Sequence, residues 1–179
     1  KQGNPAELID CTADYIQNPS FEDDGTTLTK KAPKGWKVKS TTAWWGVNQG
    51  GGDGDPAATD GKFIFGVWDA ANDLTPSISQ TISNLPKGDY VLKVDMHAAN
   101  SGATVRVGNQ RLFANDAAVR FADKISEPGT GDNSPMQTLT LEFAQQSDNA
   151  PVKIGVTTDG APSATWFKID NFRLYQVKK

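Results

Sequence analysis

Two acids near opposite ends of the chain, Glu22 and Asp170, pose the sharpest chemical question in this sequence. Asp170 sits inside an alternating apolar run from Thr165 to Tyr175. A carboxylate beside a core is costly unless it is paired or holds a metal. Glu22 closes the stretch Asn18-Pro19-Ser20-Phe21-Glu22. The first and last strands of a β-sandwich are often neighbours, because chain termini tend to lie close together. Glu22 and Asp170 would then offer two oxygen donors to one hard cation, and calcium fits that donor type best. The competing reading leaves each acid solvated or salt-bridged. Asp60, which leads into a later strand, is a further candidate ligand. The glycine-rich loop holding Asp53 and Asp55 has the Asp-x-Asp spacing of a calcium loop but lacks the terminal glutamate of the full motif.

A second chemistry resides in the aromatic residues. Tryptophan stacks on the C–H face of a sugar ring, while Asp, Asn, Gln and Arg hydrogen-bond its hydroxyls. Trp44, Trp45, Trp68 and Trp166 fall near strand edges or loops. Each alone reads most simply as a packing residue; together they suggest a platform. Trp44 and Trp45 are adjacent, so in a strand they face opposite ways, and the sequence leaves open which one faces out. Asp95, His97 and Arg106 are expected to share one polar sheet face on neighbouring antiparallel strands. Catalysis has little to work with. The single histidine, His97, falls mid-strand, and no Gly-x-Ser-x-Gly turn accompanies it. One histidine and one cysteine do not make a zinc site. No pair of acids stands out as a glycosidase pair. The expected protein is therefore not an enzyme.

The elements that must hold these residues read as strands. In the last run, Phe167 and Ile169 share a face, then Phe172 and Leu174 take over. That change of phase at Asp170-Asn171 predicts a β-bulge. Tyr90, Leu92, Val94 and Met96 point inward in the clearest strand, which runs to His97. Phe63, Phe65 and Val67 form one face of another strand; Ile64, Gly66 and Trp68 form the other, a shallow floor with Gly66 leaving room and Trp68 at the rim. Further strands are expected over 77–82, 103–107, 136–143 and 151–157. A short edge strand guarded by lysines is expected at Trp36 to Val38. Residues 108–137 read as a loop-rich insertion, with Asn109-Gln110 as a hairpin turn. Residues 1–14 read as a loose lead-in, and 15–179 as a single β-sandwich domain with no repeat or linker.

With these residues assembled, a family comes into view. Asn18-Pro19-Ser20-Phe21-Glu22, then Gly35-Trp36, then Gln80-Thr81-Ile82-x-x-Leu85-x-x-Gly88-x-Tyr90-x-Leu92, then Ile169-Asp170-Asn171-Phe172-Arg173-Leu174, resembles the galactose-binding-like jelly rolls. The nearest resemblance is to carbohydrate-binding module families four, nine and twenty-two, and it covers residues 15–175. It implies an all-β jelly-roll sandwich of two antiparallel sheets. It also implies a structural calcium where the first and last strands meet. The matching ligands are Glu22 and Asp170 by side chain and Ser20 by its carbonyl, with one more between Asp60 and Lys62. Ligand sites in this superfamily lie on the concave sheet face or in the loops at one end. The first would use Trp68, Asp95, His97 and Arg106. The second would use Trp44 or Trp45, Asp69, Asn72 and Trp166. The implied partner is a polysaccharide or oligosaccharide, bound by a monomeric domain appended to a glycoside hydrolase. The family's ligand-contacting aromatics do not match one by one, so no particular sugar is specified. The fold also hosts architectural and protein-binding domains, which makes a structural or protein-interaction accessory domain the alternative.

Composition narrows the setting. The chain has 179 residues and a net charge of −3. It offers no electrostatic footprint for nucleic acid. No apolar run approaches the roughly 20 residues of a transmembrane helix. The single cysteine, Cys11, allows no internal disulfide. It follows Leu8-Ile9-Asp10 much as a lipoprotein cysteine follows its cleavage site, but the preceding apolar segment is missing. It reads instead as a small buried hydrophobe. The expected setting is extracellular or the bacterial cell surface.

Overall fold

The structure, a computed structural model, describes residues 6–52, 54–70, 73–100, 109–121 and 134–178, and the backbone alone of 105–107 and 124–126. Asp53 and Asn72 lie outside the described residues. Period-2 alternation dominates the sequence, and the chain accordingly folds as two antiparallel sheets packed face to face. The larger is seven-stranded. Its order is β12 (Gln137–Gln145), β7 (Gly88–Asn100), β14 (Thr165–Lys178), β5 (Phe63–Trp68), β4 (Trp44–Gln49) and β2 (Leu28–Thr29). A further strand, β1 (Glu7–Asp10), pairs with the end of β14. The smaller sheet runs β10 (Ala117–Arg120), β9 (Gln110–Ala114), β13 (Val152–Thr158), β6 (Ser77–Ile82) and β3 (Lys37–Lys39). A separate two-stranded ribbon joins β8 (Val105–Val107) to β11 (Lys124–Ser126).

The core lies between the two sheets. Phe65, Leu92, Val94, Met96, Phe167 and Ile169 enter it from the larger sheet, and Ile78, Leu112, Ile154 and Val156 from the smaller. The inward positions expected from alternation in β5, β7 and β13 are buried.

The segment Asn18 to Glu22 closes the sandwich onto its last strand. Asn18 has φ +48° and Phe21 φ +61°, a region that non-glycine residues enter only when their surroundings hold them there. Asn18 supplies much of that hold. Its side-chain amide donates to the Lys34 carbonyl (3.0 Å), and its side-chain oxygen accepts from Asp23 N (3.0 Å). Its main-chain carbonyl accepts from the Trp36 indole (2.9 Å). The turn delivers Phe21 into an aromatic cluster with Trp36 and Phe172, whose rings are 4.7 Å apart. The predicted bulge is present: pairing between β14 and β7 shifts register between Asp170 and Arg173, and Asn171 takes φ +59°. At the bulge, Phe172 N donates to the Pro19 carbonyl (2.9 Å), which ties the first segment to the last strand.

Three expectations require correction. The lead-in is shorter than 1–14: β1 occupies Glu7–Asp10, and a short helix, α1, spans Thr12–Tyr15. Cys11 sits between them, buried as expected, with its N–H on the Leu174 carbonyl (2.9 Å). Burial, with Asp10 and Asp14 nearby, pushes its thiol up to about 11. The insertion at 108–137 holds β9, β10 and β11, and the β9–β10 hairpin turns at Asn115 rather than at Asn109-Gln110. The strand carrying Arg106 pairs with β11 and not with β7. Arg106 therefore does not share a sheet with Asp95 and His97, and its side chain lies outside the described structure.

Candidate ligand face and acidic clasp

Cross-strand register builds the candidate platform. On the outer face of the larger sheet Trp44 pairs with Trp68, Trp68 with Trp166, and Trp166 with Ala99. Directly paired residues project to the same side, so three indoles form one row across adjacent strands. Trp68 is 42% exposed, Trp44 is half-buried and Trp166 is buried. Trp45 points the other way and packs against the core. The concave and loop readings thus share one place: Trp68 from the first, and Trp44 and Trp166 from the second, lie side by side.

The next row is Gly46, Gly66, Lys168 and His97. Gly66 does not leave room for a ligand. Lys168 lies across it, and a Cβ there would run into the lysine stem. The Lys168 ammonium sits 4.7 Å from the centroid of the Trp44 ring, a cation–π contact. It is also 3.5 Å from Asp55 Oδ1 and 3.5 Å from Asn48 Oδ1. Burial lowers the Lys168 pKa, and the Asp55 carboxylate works against that shift. Asn48 in turn donates to Asp55 (2.8 Å), fixing the loop after β4 over the sheet.

Asp95 and His97 share this outer face, as expected, but both are buried. Asp95 Oδ1 accepts from Arg173 (2.6 Å) and from the Thr138 hydroxyl (2.7 Å). His97 stands edge-on to Trp166 at 5.4 Å and to Phe121 at 6.2 Å. His97 thus packs beside the buried end of the indole row, while Asp95 is taken up by its own partners. Asp69, at the end of β5, accepts from Ala164 N (2.8 Å) and so anchors the loop that leads into Trp166. Sequence reasoning missed Lys168 and Asn48, and it read Asp55 as part of a calcium-like loop, whereas Asp55 bonds Asn48 and Lys168. The only signal was a lysine at an outward position opposite a glycine.

The acids form a clasp. Asp170 is fully buried, with Oδ2 accepting from Thr59 N and Asp60 N (both 2.9 Å) and Oδ1 from Asn171 N (2.8 Å). Glu22 accepts from Lys62 N (2.8 Å) and Phe63 N (2.7 Å). Gly61 has φ +68°, and a Cβ there would strike the Glu22 carboxylate. The Asp60 carboxylate accepts from the Ser20 hydroxyl (2.7 Å). The expected ligand residues are thus together. Their chemistry, hard oxygen donors of like charge, suits calcium. Among the described residues no three His, Cys, Asp or Glu side chains converge to hold an ion by themselves. An ion here would need main-chain carbonyls as well, which is the role expected for Ser20.

Elsewhere on the larger sheet, Asp89 and Glu142 line a cavity of about 340 Å³ with Tyr90 and Phe143; Glu142 is exposed and Asp89 half-exposed.

The sequence matches no protein-family model and no curated protein. The likeness to known proteins appears in the fold. TmCBM61, a carbohydrate-binding module solved in complex with β-1,4-galactotriose, superposes with a TM-score of 0.57 at 19% identity, covering 90% of this chain and 97% of that one. The CBM22-1 xylan-binding domain of Paenibacillus barcinonensis Xyn10C gives a TM-score of 0.52 at 11% identity over 99% of both chains. The arabinose-bound α-L-arabinofuranosidase MgGH51 gives 0.59 at 13% identity, over 92% of this chain but 28% of its own. At these identities what is shared is the β-sandwich itself. The fold expected from the motif order, that of carbohydrate-binding modules, is the one observed.

The clasp predicts a pH dependence. Burial pushes the Asp170 carboxyl from 3.8 up to about 7; the N–H donors of Asp60, Asn171 and Thr59 oppose the shift, and nearby Glu22 adds to it. The folded state then holds this proton more tightly than the unfolded chain does. The stabilisation is complete below about pH 4 and is lost as pH rises through about 7, a difference of up to about 4 kcal/mol. In chelator, the urea midpoint should fall between pH 5 and pH 8, and Asp170→Asn should flatten that fall. Equal slopes in the two proteins would remove Asp170 as its source.

Proposed function

We infer that this chain is a non-catalytic carbohydrate-binding domain that takes a polysaccharide or oligosaccharide on its tryptophan row. The observation carrying this reading is the in-register pair Trp44 and Trp68, with Trp68 42% exposed on a rigid sheet. Exposed indoles on a braced surface offer a sugar ring an apolar face without an ordering cost. Lys168 packs on the Trp44 ring, and His97 packs on Trp166, the next indole of the row. The fold supports the reading, since similar structures were solved as carbohydrate-binding modules. The domain's setting is extracellular or the bacterial cell surface, as a monomer attached to a glycoside hydrolase; the similar sandwich within an α-L-arabinofuranosidase supports that attachment. No helix among the described residues is long and apolar enough to cross a membrane.

A purely architectural role would be favoured by a face filled by the protein's own loops with every tryptophan buried. Asp55 does bring a loop over Lys168, but Trp68 stays open. Titration with soluble galactans, xylans and arabinans, read by tryptophan fluorescence, tests the choice. At least one glycan should quench. Trp68→Ala should weaken that binding about tenfold or more, while Trp45→Phe, on the inward face, should leave it unchanged. A flat response to every glycan would favour the architectural role.

The acidic clasp is, on this reading, a structural calcium site with Glu22 and Asp170 as side-chain ligands, Ser20 contributing its carbonyl, and the Asp60–Lys62 segment completing it. Calcium would offset the charge that burial penalises at Asp170. Calcium should raise the melting temperature and chelator should lower it, by several degrees, and Glu22→Gln should abolish the difference. A melting temperature indifferent to calcium in the wild-type protein counts against the site.

A further inference from the structure

The outer face of the smaller sheet, on the opposite side of the molecule from the tryptophan row, has its own chemistry. Register puts Lys37 beside Ser79 and Lys39 beside Ser77. It pairs Lys153 with Thr81 and Thr157 with both Ser77 and Arg111. The face is therefore a track carrying small hydroxyls at Ser77 and Thr157 and again at Thr81, with ammonium or guanidinium groups on both flanks; the row between them, Ser79, Gly155 and Phe113, is buried. Lys37 and Lys39 on edge strand β3 also serve to block strand pairing. That role does not account for Lys153, which lies on an interior strand, or for Arg111 on β9. Lys37, Lys39 and Lys153 are exposed, and none of them joins an ion pair among the described residues. Arg111 is held by Asp159 (3.1 Å) and lies 5.8 Å from the Phe113 ring.

The track also leads somewhere. Because β3 is short, β6 loses its neighbour beyond Ser79. A polar groove of about 540 Å³ opens there, lined by Gln17, Lys37, Thr81, Ser83 and Asn84 and by one acid, Asp14. From β3 to β9 is three strand spacings, about 14 Å, wide enough for a single extended glycan chain. The cationic flanks stand out on a chain whose net charge is −3.

We propose that this face is a second binding surface, taking a polyanionic glycan chain along the track from the Lys37–Thr81 groove towards Arg111. The hydroxyls and amides pair with sugar hydroxyls, and the flanking cations pair with carboxylate or sulfate groups. Nucleic acid fits less well: Phe113 is 8% exposed, so the face offers no open ring on which a base can stack. The surface is independent of the tryptophan row and stands or falls without it.

Affinity gels cast with polygalacturonate, with heparin and with neutral galactan test the proposal. The protein should be retarded by one or both acidic glycans at low salt, and less so as salt screens the contact. Heparin alone would identify sulfate as the recognised group, and polygalacturonate alone would identify carboxylate. Trp68→Ala should be retarded like the wild type. Lys37→Glu combined with Lys153→Glu should weaken the retardation about tenfold or more with an unchanged melting temperature. If the Lys153 change disturbs the sheet, Lys37→Ala with Lys39→Ala makes the same test on the edge strand. No retardation by either acidic glycan, or equal retardation of the lysine variants, overturns the proposal. So does displacement by poly-L-glutamate at equal charge concentration, which would reveal charge attraction without sugar recognition.

Discussion

Everything else in this sandwich depends on burying one carboxylate at the bulge of its last strand. Asp170 is fully enclosed, and its oxygens accept three main-chain N–H groups. Those donors come from the segment just before β5 and from the bulge itself. Glu22 takes the N–H groups of Lys62 and Phe63, where β5 starts. Two acids, one from each end of the chain, thereby set where β5 begins. The bulge also switches the phase of β14, so that Phe167 and Ile169 on one side and Phe172 and Leu174 on the other all reach the core. The buried carboxyl is thus satisfied by main-chain N–H groups, and the left-handed Asn18–Phe21 turn is the strain accepted to bring Glu22 onto the adjoining N–H groups.

The ligand face follows from that same placement. Once β5 starts at Phe63, its pairing with β4 and β14 sets Trp44, Trp68 and Trp166 in one row. A slip of one residue would send the indoles into the core and Phe63, Phe65 and Val67 outward. Trp166 is covered, Trp44 is half-covered and Trp68 is open, which grades the row from anchor to contact surface. Lys168 stiffens the Trp44 end, because its stem fills the space over Gly66 and its ammonium faces the ring. The two faces of the molecule therefore differ in kind: aromatic and braced on the larger sheet, hydroxyl-lined and cationic on the smaller.

Local alternation made much of this legible in the sequence. The phase break at Asp170-Asn171, the inward faces of β5, β7, β12 and β13, and the meeting of Glu22 with the last strand all follow from period-2 patterns and the cost of a buried acid. What stayed hidden depends on partners distant in sequence. Asp95 and His97 alternate outward and look solvent-facing, but Arg173 and Trp166, more than 60 residues on, cover or pair them. Arg106 follows β7 closely and looks like its hairpin partner, whereas its strand pairs with β11. In Glu7-Leu8-Ile9-Asp10 two adjacent apolar residues lie between acids, with no alternation to mark β1. Glycine at 66 looks like empty space until Lys168 is seen to occupy it.

The most direct test of a braced tryptophan platform is to watch each indole separately. The chain has five tryptophans, which give five indole N–H signals in a nitrogen–proton correlation spectrum. On titration with a bound oligosaccharide, the Trp68 and Trp44 signals should shift most, while those of Trp36, sealed against Phe172, and Trp45, turned to the core, should hold still. Movement of Trp36 or Trp45 with a silent Trp68 would contradict the account and put the ligand elsewhere on the sandwich.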